Sequence, residues 1–389
     1  MIARLALAVL LAGASAATAQ EKGRAPGRVD EVRINAAIKK GAESLKGRAW
    51  REFGGRDMTC ELVLLAMVHA GVPEKDAAFA GFFKGMLEER PETTYRTALR
   101  AMVLEEVERV KYQVKIFECA QFLVDNQGQN GQWSYGEPTV LPAPTPAGRK
   151  EVATGPPPPP AGTLVVFSDP SGKPKPPVVQ RIAERKQRDG PPCGDNSNSQ
   201  YAALGLRACH DAGIVFPKEV VSRAAQWWRE CQINDSNPAG GGRVATGGGP
   251  RPRGWGYRGQ GEEPYGSMTA GAVGALVICD YILGTDWKKD DNVNAGVNWI
   301  RDNYSVIENP RRGRGHHYYY LYALERAGIL YDTESFGRHD WYAEGAAVLL
   351  EEQTAGGSWG SVVDTCFAIL FLRRATRPLV ESRDSKNPR

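Results

Sequence analysis

Three things are scarce in this chain of 389 residues, and each scarcity excludes something. The first is charge of one sign. Lys and Arg number 49 and Asp and Glu 45, a formal net of +4. So small an excess argues against a nucleic-acid partner. The second is a paired-cysteine signature. Cys60, Cys119, Cys193, Cys209, Cys231, Cys279 and Cys366 include no CxxC pair and no zinc-finger spacing. Several lie inside apolar helical runs, where a buried free thiol is ordinary. An odd number leaves at least one thiol unpaired even in an oxidising compartment. The third is a long apolar run. Beyond the amino terminus none is read as reaching the roughly 20 residues of a spanning helix, so no transmembrane segment is expected.

The amino terminus has a pattern of its own. Arg4 precedes an apolar run, Leu5 to Ala12, and small residues ending Ala17-Thr18-Ala19. That is the form of a signal peptide cleaved near Ala19. Residues 1–19 are assigned to the signal and 20–31 to a linker. The expected location is periplasmic or extracellular. About 370 residues remain, enough for two average domains or one large closed one.

The remainder repeats. Six apolar segments begin near Thr59, Thr94, Ser199, Thr269, His317 and Thr365. Ser or Thr opens five of them, as expected where a hydroxyl accepts from an orphan N–H at a helix start. Each follows a more amphipathic stretch: Val32–Lys46, Lys75–Glu88, Arg109–Asn126, Lys218–Gln232, Asp290–Asn303 and Asp340–Gln353. Six helical hairpins with six inner and six outer helices predict an all-α (α/α)6 toroid over residues 32–376. A polar tail, 377–389, follows.

Two insertions interrupt the repeats. One, about 137–193, is Pro-rich and includes the run Pro156 to Pro160; the other, about 234–254, is rich in Gly and Arg. Both leave from an outer-to-inner turn, which predicts that they share one rim. The first reads either as an extended, partly polyproline surface loop or as a lid or partner-binding arm.

The turns carry a motif. Leu123, Gln127, Gly131 and Trp133 have the same spacing as Leu349, Gln353, Gly357 and Trp359. Trp228 and Gln232 begin a third copy, whose Gly254-Trp255-Gly256 is displaced by the second insertion. This resembles the QW motif of squalene and oxidosqualene cyclases, shared in looser form by protein prenyltransferase β subunits. The hairpin pattern extends the resemblance over the whole mature chain. Its physical use is structural: Gln bonds a neighbouring helix end, Gly permits the turn and Trp packs over the outer helix. Fold therefore follows more firmly than function.

The resemblance implies chemistry only where the family's motifs recur. The D-x-D-D acid of squalene–hopene cyclases is absent. The nearest string to the metal-binding D-D-x-x-D, Asp290-Asp291-Asn292-Val293-Asn294, lacks its last Asp and begins an outer helix, where acids favour the dipole. Triterpene cyclases also resemble two fused barrels, whereas this chain supplies one. Prenyltransferases hold zinc with Asp-x-Cys and a later His. Asp364-Thr365-Cys366 matches the pair, and His316 at the preceding inner helix is the candidate third ligand, on the wrong side in chain order. The structural alternative is a helix cap at Asp364 and a buried Cys366. No cofactor is expected, and zinc is the one candidate. Cys60 and Cys366 share a repeat position, so a disulfide closing the toroid is conceivable. Asp195, Glu262, Glu263 and Asp364 near the rim turns are the acids that a secreted α/α-barrel glycosidase would need.

Polar and aromatic residues gather where the inner helices begin. Asp195, Asn198, Gln200, Tyr201, Tyr265, His317, Tyr318 and Asp364 are the candidates to line a central cavity. The expected function is binding, through that cavity and the insertion-bearing rim, of a hydrophobic, isoprenoid-like or protein ligand. The alternatives are an isoprenoid enzyme of terpenoid-cyclase or prenyltransferase type, and a carbohydrate-active enzyme.

Overall fold

A computed structural model describes residues 30–47, 59–90, 92–147, 175–233, 250–259 and 261–379. The expected signal, the linker as far as 29, the middle of the first insertion, most of the second and the tail from 380 lie outside the described residues.

The described chain is all-α. Its helices are α1 (Glu31–Lys46), α2 (Thr59–His69), α3 (Ala77–Glu88), α4 (Thr94–Glu108), α5 (Gln113–Asp125), α6 (Asn196–Asp211), α7 (Lys218–Glu230), α8 (Gly266–Leu283), α9 (Asp291–Asp302), α10 (His317–Tyr331), α11 (Trp341–Glu352) and α12 (Val362–Arg373). Strand pairing is confined to two-residue segments, β1 (Thr145–Pro146), β2 (Ile182–Ala183), β3 (Ile214–Val215), β4 (Ser335–Phe336) and β5 (His339–Asp340).

Local chemistry sets the helix starts. Asp30, Asp76, Asp290 and Asp340 cap α1, α3, α9 and α11, each carboxylate accepting from first-turn N–H groups. Asp290, first residue of the near-match to D-D-x-x-D, is thus a cap; it also pairs with Arg229 at 2.7 Å. The aligned hydroxyls do something else. Helices α6, α8 and α12 start three residues before Ser199, Thr269 and Thr365. These three are therefore not caps, which corrects the expectation from the sequence.

The even-numbered helices are buried on most sides. They pack in order, α2 on α4, α4 on α6, α6 on α8, α8 on α10 and α10 on α12, and α12 packs on α2. The odd-numbered helices each lay one apolar face on an even-numbered one, and α1 packs on both α11 and α12. Among the described residues α8 alone is long and apolar enough to cross a membrane, which the sequence reading passed over; 89% of that span is buried inside the fold.

The Gln/Gly/Trp turns fasten neighbouring hairpins in one geometry. Each Trp donates its indole Nε1–H to a carbonyl of the preceding helix: Trp133 to Leu123 at 2.7 Å, Trp255 to Trp228 at 2.8 Å and Trp359 to Leu349 at 2.7 Å. Its backbone N–H donates to the hydroxyl of Ser199, Thr269 or Thr365, at 3.0, 3.1 and 3.0 Å. Each Gln donates to the odd-numbered helix beyond: Gln127 to Val220 O at 2.7 Å, Gln232 to Asn292 O at 2.9 Å and Gln353 to Ala37 O at 2.9 Å. Gly131 and Gly357 have φ of +91° and +87°, and a Cβ there would lie 2.2 Å from Arg223 O and 2.6 Å from Lys40 O. Only glycine allows both the left-handed backbone and that approach.

The described half of the first insertion runs far from where it leaves. Lys175 Nζ reaches Glu105 at the end of α4, 2.6 Å away. Strand β2 then pairs with β3, in the turn after α6. From there the segment follows α5, with Lys186 donating to Val124 O and Gln127 O. All seven cysteines are unpaired, so the conceivable Cys60–Cys366 disulfide is not formed. Both thiols are fully buried, and burial pushes them up.

Candidate functional site

The starts of α4, α6, α8 and α10 bring tyrosines together around the head of α6. Asp195 caps that helix, accepting from Asn198 N at 2.7 Å and Asn198 Nδ2 at 2.8 Å. The phenol of Tyr257 lies beside the same carboxylate, and burial, then Asp195, pushes it up. Tyr95 OH meets Ser197 Oγ, and Ser197 Oγ meets Tyr319 OH at 2.9 Å. Tyr265 is the cap residue of α8, with the Arg312 guanidinium 4.4 Å above its ring. Burial pushes the Tyr265 phenol to about 12, and those of Tyr95 and Tyr319 well above their ordinary value. All of these hydroxyls therefore keep their protons at neutral pH, and that of Tyr319 accepts from Gln200 Nε2. Tyr135, in the third repeat's turn, is 63% exposed at the edge of the group.

Beneath this aromatic mouth the centre is filled. Gln200 donates to Tyr319 OH at 2.7 Å and accepts from Arg326 Nη2 at 2.9 Å. Tyr201 is fully buried, its ring centroid 4.6 Å from that of Tyr95 and 6.2 Å from that of Tyr319. Arg326 is 2% exposed and makes no ion pair among the described residues; its guanidinium lies 4.2 Å over the Tyr322 ring. The next residue back, Glu325, turns to Thr376, accepting from its N at 2.9 Å and its hydroxyl at 2.6 Å. Burying an uncompensated charge costs several kcal/mol, of which a cation–π contact returns about 0.5–2 kcal/mol.

The expected cavity residues thus divide. Asp195, Asn198, Gln200, Tyr201 and Tyr265 belong to the mouth and the packed layer beneath it. His317 is buried, its Nε2 2.8 Å from Val306 O, and burial lowers its pKa. Tyr318 instead donates to Glu352 at 2.9 Å. Asp364 forms a reciprocal capping box with Ser361. The zinc candidates stand apart in role: Asp364 caps, Cys366 is buried in α12, and His316 is exposed with φ of 55°. Among the described residues no group of three or more His, Cys, Asp or Glu is placed to hold a metal. Glu262, one of the acids weighed for glycosidase chemistry, accepts from Tyr257 N and Arg258 N.

A second polar cluster lies where the even-numbered helices end. Lys175 is buried between Glu105 and Glu106, at 2.6 and 3.4 Å, and Arg377 pairs with Glu106 as well. A cavity of about 50 Å³ opens beside them, lined in part by Leu65, Met102, Leu204, Arg207 and Tyr322.

Sequence reasoning missed Arg326 and the Lys175 cluster. A signal existed for Arg326: the Glu325-Arg326 pair interrupts an otherwise apolar run. Compared with known proteins, the chain matches no family model and no curated protein.

Proposed function

We propose that the chain is an exported (α/α)6 toroid of the squalene-cyclase and prenyltransferase repeat type that binds a ligand or protein partner at its tyrosine-lined mouth. The toroid reading is supported by the cyclic order in which even-numbered helices pack, and by three fasteners of identical geometry, the last joining α11 to α1. The observation that carries the binding reading is the mouth. Tyr95, Tyr257, Tyr265 and Tyr319 gather donors and aromatic faces around Asp195 and Ser197, and the exposed Tyr135 extends them. Such surfaces combine apolar area with hydroxyls, at low conformational cost. The readings as isoprenoid or carbohydrate-active enzyme draw less support, because Asp290 and Asp364 are engaged as caps.

The test uses the full chain expressed with its own leader. Benzoylphenylalanine placed at Tyr135 is photo-activated in cells, with Val179, 90% exposed on the insertion, as the control position. Farnesol and geranylgeraniol are titrated separately against the purified protein by intrinsic fluorescence. Binding at the mouth gives either a discrete adduct specific to position 135 or a saturable change that Tyr257→Ala weakens. Equal labelling at both positions with no saturable change contradicts the proposal.

A further inference from the structure

The mouth is made by helix starts, and the same set of helices leaves a space at its other end. The cavity of about 50 Å³ there lies between the last turns of α2, α4 and α6 and the segment that follows α12. Leu65, Met102, Leu204, Ala208 and Tyr322 give it apolar walls.

Its charged lining residues answer one another. Glu105 faces Lys175 at 2.6 Å and Arg109 at 3.7 Å, Glu106 faces Lys175 at 3.4 Å and also Arg377, and Asp211 faces Arg207 at 3.5 Å. Arg207 donates as well to Arg377 O at 2.7 Å, and the Thr376 hydroxyl donates to Glu325. Each ionic side chain of the lining thus has a partner of opposite sign, and the cavity offers an ion no unpaired charge.

His69, in the last turn of α2, differs from these. It is 5% exposed, lines the cavity, and makes no hydrogen bond or ion pair among the described residues. Its ring nitrogens are nonetheless not sealed in by packing, and the cavity is the open space that they border. Burial, and then the cations Arg377, Lys175 and Arg373, lower its pKa to about 3, so the ring is neutral. A neutral imidazole carries one N–H donor and one acceptor nitrogen. The group that meets either nitrogen without a charge is a hydroxyl.

Size narrows the ligand. At about 10–15 Å³ for each water centre, the space holds roughly four waters or one molecule of four or five non-hydrogen atoms. Water meets the imidazole but not the apolar walls, and an alkyl chain that displaces loosely held water gains affinity. We infer that this cavity is a binding site for a short aliphatic alcohol, its hydroxyl on the His69 imidazole and its chain against Leu65, Met102 and Leu204. The site is separate from the one proposed at the mouth, and neither depends on the other.

The test is a titration of the full chain with 1-propanol, followed by NMR of methionine methyl groups and histidine ring nitrogens, with the Met102 and His69 signals assigned in the wild type. Both signals should shift together and saturate, with a half-effect near about 10 mM, as suits so small a ligand. Acetate and propylamine, of similar size but charged, should leave both unmoved. Ala208→Leu fills the cavity and keeps His69, and should abolish the response to 1-propanol. The wild-type titrations decide the matter whether or not that variant folds. No saturable shift, a shift that spares His69, or an equal response to acetate or propylamine overturns the inference. So does a response that persists in folded Ala208→Leu.

Discussion

The Glu184 carboxyl is buried between Asp125 of α5 and Cys209 of α6, where the neighbouring Arg185 N–H reaches it. Burial, and then Asp125, raises its pKa from 4.5 to about 9, against a smaller lowering by the Arg185 N–H. The folded chain therefore holds a proton that the unfolded chain has released. Between pH 4.5 and about 9 the unfolded state binds fewer protons, so the stability contributed by this residue falls as pH rises. Below 4.5 that contribution is fully present. Urea unfolding across this range should show the decline in the wild type and a flatter profile in Glu184→Gln, which cannot ionise. Equal slopes in the two proteins would mean that Glu184 is not held protonated.

At the scale of the elements, the turns act as fasteners between hairpins. Gln353→Ala removes donation to Ala37 O and Gly357 O, the latter at 2.8 Å. Urea unfolding should register a loss of about 1 kcal/mol, the ordinary net worth of an intramolecular hydrogen bond, because Ala37 O keeps its partner within α1. Gly357→Ala should cost more than about 1 kcal/mol, because a side chain is strained at positive φ and meets Lys40 O. Much of this was legible in the sequence. Apolar periodicity located every odd-numbered helix, with ends displaced by at most four residues. The spacing of Gln127, Gly131 and Trp133 already announced a turn. What the Ser and Thr hydroxyls do was not legible, because Ser199, Thr269 and Thr365 receive a tryptophan N–H from another part of the chain. At the mouth, Asp195, Gln200 and Tyr201 stood out as polar or aromatic interruptions of an apolar helix. Their partners did not, since Tyr319 and Arg326 lie more than a hundred residues away in sequence. The course of the first insertion was hidden for the same reason: Lys175 finds its acids 70 residues back.

For the whole molecule, the account rests on a chain whose last helix returns to its first. Glu31 at the start of α1 and Arg374 just past α12 form an ion pair at 4.0 Å. The ends of the fold are therefore adjacent, and the repeats on either side are already joined by Gln353. The closed arrangement proposed above would leave no unpaired terminal hairpin, whereas an open stack would have two. It also fixes the relative positions of α4, α6, α8 and α10, whose starts together make the mouth.

Circular permutation tests that closure most directly. A short Gly/Ser linker would join Pro378 to Asp30, and new termini would be opened between Glu74 and Lys75, both exposed in the turn before α3. The parent for comparison is the same chain trimmed to residues 30–378 without permutation. The account predicts that the permutant keeps the parent's helical circular dichroism and unfolds in one transition, with a midpoint within about 5 °C, as adjacent termini allow. A permutant that loses helix, or in which α1 and α2 unfold separately from the rest, would contradict it.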